Sequence, residues 1–341
     1  MPRDLGYHAL EVAGVVDETA DARTFVLAIP PALEARFSYV AGQFCTFRAS
    51  IADEPVVRCY SMSSSPDVGE RFAVTVKRVP GGVMSNWMND TLAPGHTIEA
   101  MPPAGRFVLR DTGAPLVAFA GGSGITPVLS ILKSALATTA RRVHVVYANR
   151  TTEAVLFGTE IERLRASSAG RLTVHSHVDA ERGFLDAARC AALAGEHAHA
   201  DFYVCGPAPF MEVVEEGLST LGVESEQRFL ERFTLPPDDS EQRETEESST
   251  TETLVLRLDR RKHTLRYQAG DTILEAARRA GLRPPFSCEA GSCATCMARL
   301  DAGSVKMRVN NALSAAEVEQ GWILTCQALP TSPEVSVNYD S

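Results

Sequence analysis

Four cysteines in the last sixth of the chain have a spacing that can hold a metal cluster. Cys288, Cys293 and Cys296 follow the pattern C-x4-C-x2-C, and Cys326 lies further on in the segment Thr-Cys-Gln. This is the ligand spacing of plant-type [2Fe–2S] clusters, in which four thiolates bind two irons. The small residues between the first three ligands let the backbone approach a cluster and donate N–H groups to its sulfides. The spacing therefore predicts these four cysteines as iron ligands.

Zinc and disulfide bonds are the two alternatives for these cysteines. Structural zinc sites usually bring their ligands as closely spaced pairs or with histidines, and the wide first gap here fits that pattern poorly. Disulfides would require an oxidising compartment, for which nothing in the sequence argues. Because an iron–sulfur cluster carries one electron and does no bond chemistry, the rest of the chain must supply its electrons.

The length and composition are typical of a soluble protein with several domains. The 341 residues are enough for two or three domains, and 45% of them are hydrophobic and 22% charged. No apolar run of about 18 residues predicts a membrane span, and the first residues do not predict a signal peptide. The other cysteines are scattered, which is typical of a reducing cytoplasm: Cys45, Cys59, Cys190 and Cys205. We therefore expect a cytoplasmic protein.

The net charge of −10 limits the kinds of partner. Nucleic acid binding usually requires a basic face, so this charge argues against it. The charge is compatible with docking to a basic surface of a protein partner.

Residues 8–108 contain short apolar segments separated by Gly, Pro and Asp, a pattern that predicts an antiparallel barrel or sandwich. One of these strands ends in Arg58, Cys59, Tyr60 and Ser61. An arginine can pair with a phosphate, a tyrosine can lie against a flavin ring, and a serine can hydrogen-bond near the reactive ring nitrogen. We predict Arg58, Tyr60 and Ser61 as flavin ligands; the alternative is a half-buried strand that ends in a polar loop.

A second motif in the same region predicts a phosphate site. A strand is followed by a glycine turn and a short helix, which Ser85 or a neighbour is expected to cap. The free N–H groups at such a helix start can bind a pyrophosphate, although an ordinary helix start is the alternative. The cofactor-binding residues predicted here are Val76, Lys77, Gly82, Val83, Met84 and Ser85.

After Pro115 the pattern changes to alternating strands and helices, which predicts a doubly wound parallel sheet. A glycine loop follows its first strand, and there the backbone can approach the pyrophosphate of a nicotinamide dinucleotide, although the loop is not the G-x-G-x-x-G fingerprint. At the same sheet edge, the thiol of Cys205 could contact the nicotinamide; a buried structural cysteine is the alternative. The predicted nucleotide-binding residues are Gly121, Gly122, Ser123, Gly124, Thr126, Cys205, Gly206 and Pro207.

Residues 236–252 are acidic and polar and contain prolines, which predicts an extended, solvated tether. A hairpin, a capped helix and the cysteine loop follow it. The expected domains are a flavin domain at 1–110, a nucleotide domain at 111–235, the linker at 236–252 and an iron–sulfur domain at 253–341.

Taken together, the order of these motifs resembles one protein family. Arg-Cys-Tyr-Ser, Gly-Gly-Val-Met-Ser, Gly-Gly-Ser-Gly-Ile-Thr-Pro, Cys-Gly-Pro and the four cysteines follow one another as in ferredoxin–NADP reductase-like oxygenase reductases with a C-terminal plant-type ferredoxin domain. The resemblance covers nearly the whole chain and includes the reductases of 3-ketosteroid 9α-hydroxylase and phenylacetyl-CoA epoxidase. It implies an antiparallel β-barrel flavin domain, a doubly wound parallel α/β nucleotide domain and a β-grasp ferredoxin domain.

The resemblance also implies roles for particular residues. Ser61 and Cys205 match positions beside the reacting flavin and nicotinamide, and Phe233 lies where the family often closes the domain over the flavin. The loop at 82–85 is more similar to the FAD-binding members than to the branch that uses FMN, so FAD is expected.

The residues alone leave the choice between NADH and NADPH open. After the second nucleotide strand, no acidic residue precedes Glu153, and Arg150 could accept a 2′-phosphate. The resemblance to steroid and aromatic-ring oxygenase reductases nevertheless favours NADH.

The resemblance implies a separate terminal oxygenase as partner, either a Rieske-type protein or, alternatively, a diiron monooxygenase or epoxidase served by NADPH. In this chain we find no Cys-His pairs for a Rieske centre, and a single Glu-x-x-His match at Glu196 to His199, where a diiron site needs two. A redox-sensing regulator would need a DNA-binding helix or basic patch, which the sequence does not indicate. We expect a monomer that passes hydride from NADH to FAD near Ser61 and then single electrons through the cluster.

Overall fold

The computed structural model describes residues 6–197, 199–233, 251–291 and 293–341. The chain divides into two compact units, Met1–Phe233 and Thr234–Ser341. Most of the predicted linker at 236–252 lies outside the described residues. Within the described ranges, no helix is long and apolar enough to cross a membrane.

The first part of the first unit, which we call the β-lobe, is a six-stranded antiparallel sheet with the strand order β4-β3-β6-β1-β2-β5. A bridge between Met62, directly after β4, and Val74 of β5 joins the two outer strands and closes the sheet into a barrel. Its interior is filled by fully buried side chains such as Phe25 and Phe47. Its elements are β1 (His8–Thr19), β2 (Ala22–Ala28), β3 (Phe44–Ile51), β4 (Glu54–Ser61), β5 (Ala73–Lys77), α1 (Val83–Thr91) and β6 (Thr97–Ala100).

The second part of this unit, the α/β-lobe, is a five-stranded parallel sheet with the strand order β11-β10-β7-β8-β9. Leu116 and Ala118 of β7 pack on one hydrophobic cluster, and Val117 and Phe119 pack on the other, so apolar side chains cover both faces. This confirms the predicted doubly wound sheet. Its elements are β7 (Leu116–Gly121), α2 (Ile125–Thr138), β8 (Val143–Asn149), α3 (Gly158–Ser167), β9 (Leu172–Val178), α4 (Asp179–Arg182), α5 (Ala187–Ala194), β10 (Asp201–Gly206), α6 (Ala208–Thr220) and β11 (Arg228–Arg232).

The second unit is a mixed five-stranded sheet, of order β13-β12-β18-β14-β16, with a helix packed on it. The central pair β12 and β18 is parallel, and Ile273, Ala276 and Ala277 of α7 enter the core of the sheet. Thr272 caps α7 through a reciprocal hydrogen-bond pair with Glu275. This arrangement fits the predicted β-grasp. Its elements are β12 (Thr253–Leu258), β13 (Arg261–Arg266), α7 (Ile273–Arg279), β14 (Met297–Ala302), β15 (Val305–Met307), α8 (Ala315–Glu319), β16 (Trp322–Leu324), β17 (Ala328–Pro330) and β18 (Glu334–Asn338).

A buried ion pair holds the segment that connects the two lobes. The Arg141 guanidinium lies 2.5 Å from the Asp201 carboxylate, and their side chains are 3% and 7% exposed. Arg141 also donates to the carbonyl of Arg110 at 2.8 Å, and Thr112 donates to Asp201 at 2.5 Å. The connecting segment around residues 110–112 is therefore fixed against the amino-terminal end of β10.

We predict that Arg141→Met destabilises the protein by about 3–5 kcal/mol, because it leaves the buried Asp201 carboxylate without its guanidinium. The measurement is the midpoint of urea unfolding of the full chain, followed by circular dichroism. The control is Arg165→Met, whose ion pair with Glu162 is 54% and 58% exposed, and it should change stability by less than about 1 kcal/mol. Equal effects of the two substitutions would contradict this role for Arg141.

Candidate functional site

Ser61 is the last residue of β4, and its hydroxyl is the best evidence for a ligand in the β-lobe. The residue is 3% exposed, and its Oγ has no hydrogen-bond partner within the described part of the chain. Buried hydroxyls are almost always hydrogen-bonded in folded proteins. An unpartnered one in this position fits a residue whose partner is a bound cofactor.

The two other predicted flavin residues lie on the same strand. Arg58 and Tyr60 are two positions apart, so both side chains point to one face of β4. The ring of Tyr60 packs against Phe47 with a centroid distance of 6.0 Å, and burial raises the pKa of its phenol. The Arg58 guanidinium donates to the carbonyl of Val57 at 2.7 Å and has further N–H groups that suit a phosphate. The strand thus presents an aromatic ring and a cation side by side.

Helix α1 begins as a phosphate site would require. Gly82 is its N-cap, and no side chain caps the helix within the described residues. Ser85, the expected cap, instead accepts a hydrogen bond from the Val79 amide at 3.1 Å, because it lies inside the first turn. The amides of the first turn are therefore available to an anion, in the way that helix starts bind phosphates. Val83 is 49% exposed there, whereas Met84 is buried in the barrel core.

Val76 and Lys77 have different surroundings from the other predicted cofactor residues. Val76 is fully buried in the core of the barrel. The Lys77 ammonium lies 3.7 Å from the Asp21 carboxylate and donates to the carbonyl of Ala154 at 3.3 Å. Lys77 therefore contacts the α/β-lobe, and a cofactor role for these two residues stays a prediction.

In the α/β-lobe, the glycine loop touches the end of β10 through backbone atoms alone. A Cβ on Gly124 would lie 2.1 Å from the carbonyl oxygen of Cys205, and one on Gly206 would lie 3.1 Å from the Cα of Gly121. Only glycine fits at such a distance. The fold therefore brings the two predicted nucleotide motifs into direct contact at the carboxyl edge of the sheet, where doubly wound folds bind ligands.

The remaining residues of these motifs complete this edge. Gly122 has a left-handed backbone with φ of 52°, and the Thr126 hydroxyl donates to the carbonyl of Ser123 at 3.0 Å. Pro207 is the N-cap of α6. Cys205 is fully buried, and burial raises the pKa of its thiol, so it is a neutral thiol rather than a thiolate. It packs in the hydrophobic core, as the alternative of a buried structural cysteine requires, and its contact with the nicotinamide stays a prediction.

Arg150 follows β8 and is exposed. Its carbonyl accepts a hydrogen bond from the Ala180 amide at 3.0 Å, which brings the start of α4 beside it. Burial raises the pKa of Asp179 at this helix start, and the charges of His177 and Arg150 oppose that rise. Asp179 could not be found by looking for an acidic residue near Arg150 in the chain, because it lies after the next strand. Phe233, 47% exposed, is the last described residue of the first unit.

In the second unit, the four predicted iron ligands are buried, with 2% to 6% of each side chain exposed. They form two pairs, because Cys293 hydrogen-bonds to Cys288 and Cys296 to Cys326. These bonds lower the pKa of Cys293 and Cys296, and the Cys296 thiol raises the pKa of Cys326. No three His, Cys, Asp or Glu side chains of the described residues are arranged to hold a single metal ion. Four buried thiols with this spacing suit the predicted [2Fe–2S] cluster.

The loop that carries the first three cysteines is held by contacts that the sequence pattern did not predict. Arg278 of α7 donates two hydrogen bonds to the Glu289 carboxylate, at 2.7 and 3.0 Å, and its guanidinium lies over the ring of Phe286. The Gln327 side chain donates to the carbonyl of Glu289 at 2.8 Å. Gly291, with φ of 73°, passes so close to Val309 that a Cβ would lie 2.8 Å from its carbonyl oxygen. The loop is thus preformed around the thiols.

Comparison with known families supports each part of this description. An oxidoreductase FAD-binding domain matches residues 9–109, an oxidoreductase NAD-binding domain matches 119–216, and a 2Fe-2S iron-sulfur cluster binding domain matches 256–331. The ferredoxin reductase component of the 3-ketosteroid-9-alpha-monooxygenase of Mycolicibacterium smegmatis is 38% identical, over 98% of both chains. One of the subunits of the 1,2-phenylacetyl-CoA epoxidase of Escherichia coli is 32% identical, also over 98% of both chains.

The chain belongs to the family of oxygenase reductases. Its structure is also similar to that of phthalate dioxygenase reductase, with a TM-score of 0.62, 25% identity and 99% of both chains covered. It is therefore an oxidoreductase that transfers electrons from NAD(P)H to an oxygenase, with FAD-binding, NAD-binding and [2Fe–2S] domains. The predicted family, fold class, enzyme class and cofactors are confirmed. The roles of individual site residues and the domain boundaries stay predictions.

We predict that Gly291→Ala lowers the iron and sulfide content of this oxygenase reductase. A positive φ alone costs a residue with a side chain about 1–2 kcal/mol, and here the Cβ also collides with a carbonyl in the loop. Gly270→Ala is a matched control, because Gly270 has φ of 87° but no atom within 4 Å of the added Cβ. Iron and acid-labile sulfide per protein measure the effect, and equal loss in both variants would show that backbone strain alone is responsible.

Proposed function

We propose that this oxygenase reductase takes hydride from NADH onto FAD and passes single electrons through its cluster to a separate Rieske-type oxygenase. The observation that carries the proposal is the buried Ser61 hydroxyl, which has no partner among the described residues. Ser61 lies in the β-lobe. The α/β-lobe, which follows it in the chain, has the glycine-lined sheet edge that is predicted to bind the nucleotide. Bound FAD supplies the conversion of a two-electron donor into single electrons, which the [2Fe–2S] cluster carries onward.

The residues of the β-lobe bind and orient the flavin. Ser61 would hold the reactive edge of the ring with its hydroxyl, and the neutral phenol of Tyr60 would lie against the ring. Arg58 and the first turn of α1 would bind the phosphates, since one has a guanidinium and the other has uncapped amides. These contacts would hold the flavin in the β-lobe, where it would accept hydride from the nicotinamide.

The residues of the α/β-lobe position the nicotinamide dinucleotide. The glycine loop would let the pyrophosphate approach the start of α2, and Gly206 lets the end of β10 lie against that loop. Cys205 would line the nicotinamide pocket as a neutral thiol that excludes water. Hydride transfer requires the reacting atoms to be about 3–3.5 Å apart, so both lobes must hold their ligands in register.

Asp179 supports NADH over NADPH. Its carboxylate lies 3.5 Å from His177, at the start of the helix whose Ala180 amide donates to the carbonyl of Arg150, the residue that could otherwise accept a 2′-phosphate. A carboxylate at this position would repel a 2′-phosphate and accept hydrogen bonds from ribose hydroxyls.

The relatives of this chain bear on which terminal oxygenase it serves. Of the two relatives described above, the 3-ketosteroid monooxygenase reductase component is 38% identical and the epoxidase protein 32% identical, which supports a partner like that of the former rather than an epoxidase. The alternative is an NADPH-dependent reductase that serves a diiron monooxygenase or epoxidase.

We predict that NADH, rather than NADPH, rapidly bleaches the flavin and then the cluster absorbance of the full chain under anaerobic conditions. Asp179→Asn should shift the ratio of reduction efficiencies toward NADPH by on the order of tenfold, because a repulsive charge is removed. Rapid reduction of the wild-type protein by NADPH alone would favour the epoxidase alternative. Bleaching of the flavin without the cluster would contradict the proposed route of the electrons.

We predict that Ser61→Ala slows flavin reduction by NADH about tenfold, the equivalent of one lost hydrogen bond. Stopped-flow absorbance at saturating NADH measures the rate. Ser50→Ala, an exposed position on the neighbouring strand β3, is the control and should have the wild-type rate. A wild-type rate in Ser61→Ala as well would remove Ser61 from the proposed site.

A further inference from the structure

Helix α2 presents three buried polar side chains to the β-lobe. Ser130, Lys133 and Ser134 are at positions i, i+3 and i+4, so they lie on one face of the helix. Their exposed fractions are 0%, 6% and 0%, although the helix is otherwise mainly apolar. Buried polar groups require partners, and the partners of these three lie largely outside their own lobe.

The two serines bind the segment that follows β4. The Ser130 hydroxyl donates to the carbonyl of Ser64 at 2.6 Å and accepts from the Gly42 amide at 3.3 Å. The hydroxyls of Ser134 and Ser65 are 2.7 Å apart. Three hydrogen bonds between uncharged groups therefore join α2 to the β-lobe.

Lys133 adds a charged contact at the same place. Its ammonium lies 2.9 Å from the Glu70 carboxylate and 3.2 Å from the carbonyl of Ser63, both in the β-lobe. It also lies 2.7 Å from the carboxylate of Glu160, on α3 of its own lobe. A charge so deeply buried is costly to leave without a partner, so this arrangement strongly restricts movement of one lobe against the other.

The position of this contact in the chain connects both halves of the proposed site. Helix α2 starts directly after the glycine loop that would bind the dinucleotide. Ser63 follows Ser61, the proposed flavin ligand, by two residues. Any shift of α2 along the β-lobe would therefore change the separation of the nicotinamide and the flavin.

We propose that Lys133 is a positioning residue for hydride transfer, which acts through Glu70 to set the separation of the two bound cofactors. The inference rests on the function proposed above. A displacement of about 1 Å at the reacting atoms can slow a reaction roughly a hundredfold, so a contact far from the chemistry can control its rate. The contact affects the rate of the reaction step more than the affinity for NADH, because each ligand is bound by its own lobe.

The two carboxylates that share Lys133 provide a matched test. Glu70→Gln and Glu160→Gln remove the same charge from the same lysine and leave it one carboxylate each, but only Glu70 lies on the other lobe. The carboxylates are similarly exposed, at 31% and 35%. We expect Glu70→Gln to lower the limiting rate of flavin reduction by NADH at least tenfold, while the apparent Kd of NADH changes less than about threefold. Glu160→Gln should change neither by more than about threefold.

A second readout does not depend on turnover. Hydrogen exchange of the α2 amides in the full chain without NADH should accelerate in Glu70→Gln, although the substitution is on the other lobe, and should be unchanged in Glu160→Gln. If Glu70→Gln loses FAD, Ser134→Ala is the replacement variant, because it removes a neutral contact between the same two lobes. It too should lower the limiting rate of flavin reduction. Equal rates in the two glutamine variants, or in wild type and Ser134→Ala, would overturn the inference. If NADH does not reduce the wild-type flavin, the proposed function itself fails.

Discussion

The backbone contact between the glycine loop and the end of β10 is the constraint on which the nucleotide half of the molecule depends. Gly124 lies against the peptide between Cys205 and Gly206 with no room for a side chain. This is possible only because β7 and β10 are adjacent parallel strands, so that both end at one edge. The loop then leads directly into α2, whose polar face reaches the β-lobe. One close approach of backbone to backbone thus fixes the predicted nucleotide edge at the start of α2.

The two compact units of the chain suit two different kinds of transfer. Hydride transfer requires contact distances, and the two lobes that would support it are joined within one unit by hydrogen bonds, buried ion pairs and the segment around residues 110–112. The iron–sulfur loop belongs to the other unit and is shaped by its own contacts, including those of Arg278 and Gln327. Local bracing of this kind prepares the cysteine loop for a cluster.

The features that could be predicted from sequence are local. The spacing of the cysteines, the glycine loops and the change from short strands to alternating strands and helices all lie within a few residues, so the fold class and the cofactors could be predicted. Lys133 was missed because its partner is distant in the chain: Glu70 lies 63 positions from Lys133. A lysine within an apolar helix, with serines on the same face, was the available indication for Lys133. The cap of α1 was misplaced because Ser85 lies inside the first turn.

The burial of Cys205 has a consequence for the durability of the enzyme. A thiol is oxidised to sulfenic acid and beyond mainly as an exposed thiolate. Cys205 is fully buried, and burial raises the pKa of its thiol. The thiol is therefore neither exposed nor ionised, and it is protected from oxidation. Reduced flavins react with oxygen to give peroxide, and a reductase that serves an oxygenase works in air. The packing that leaves this sulfur protonated therefore allows a cysteine to persist at the sheet edge where the nucleotide is proposed to bind.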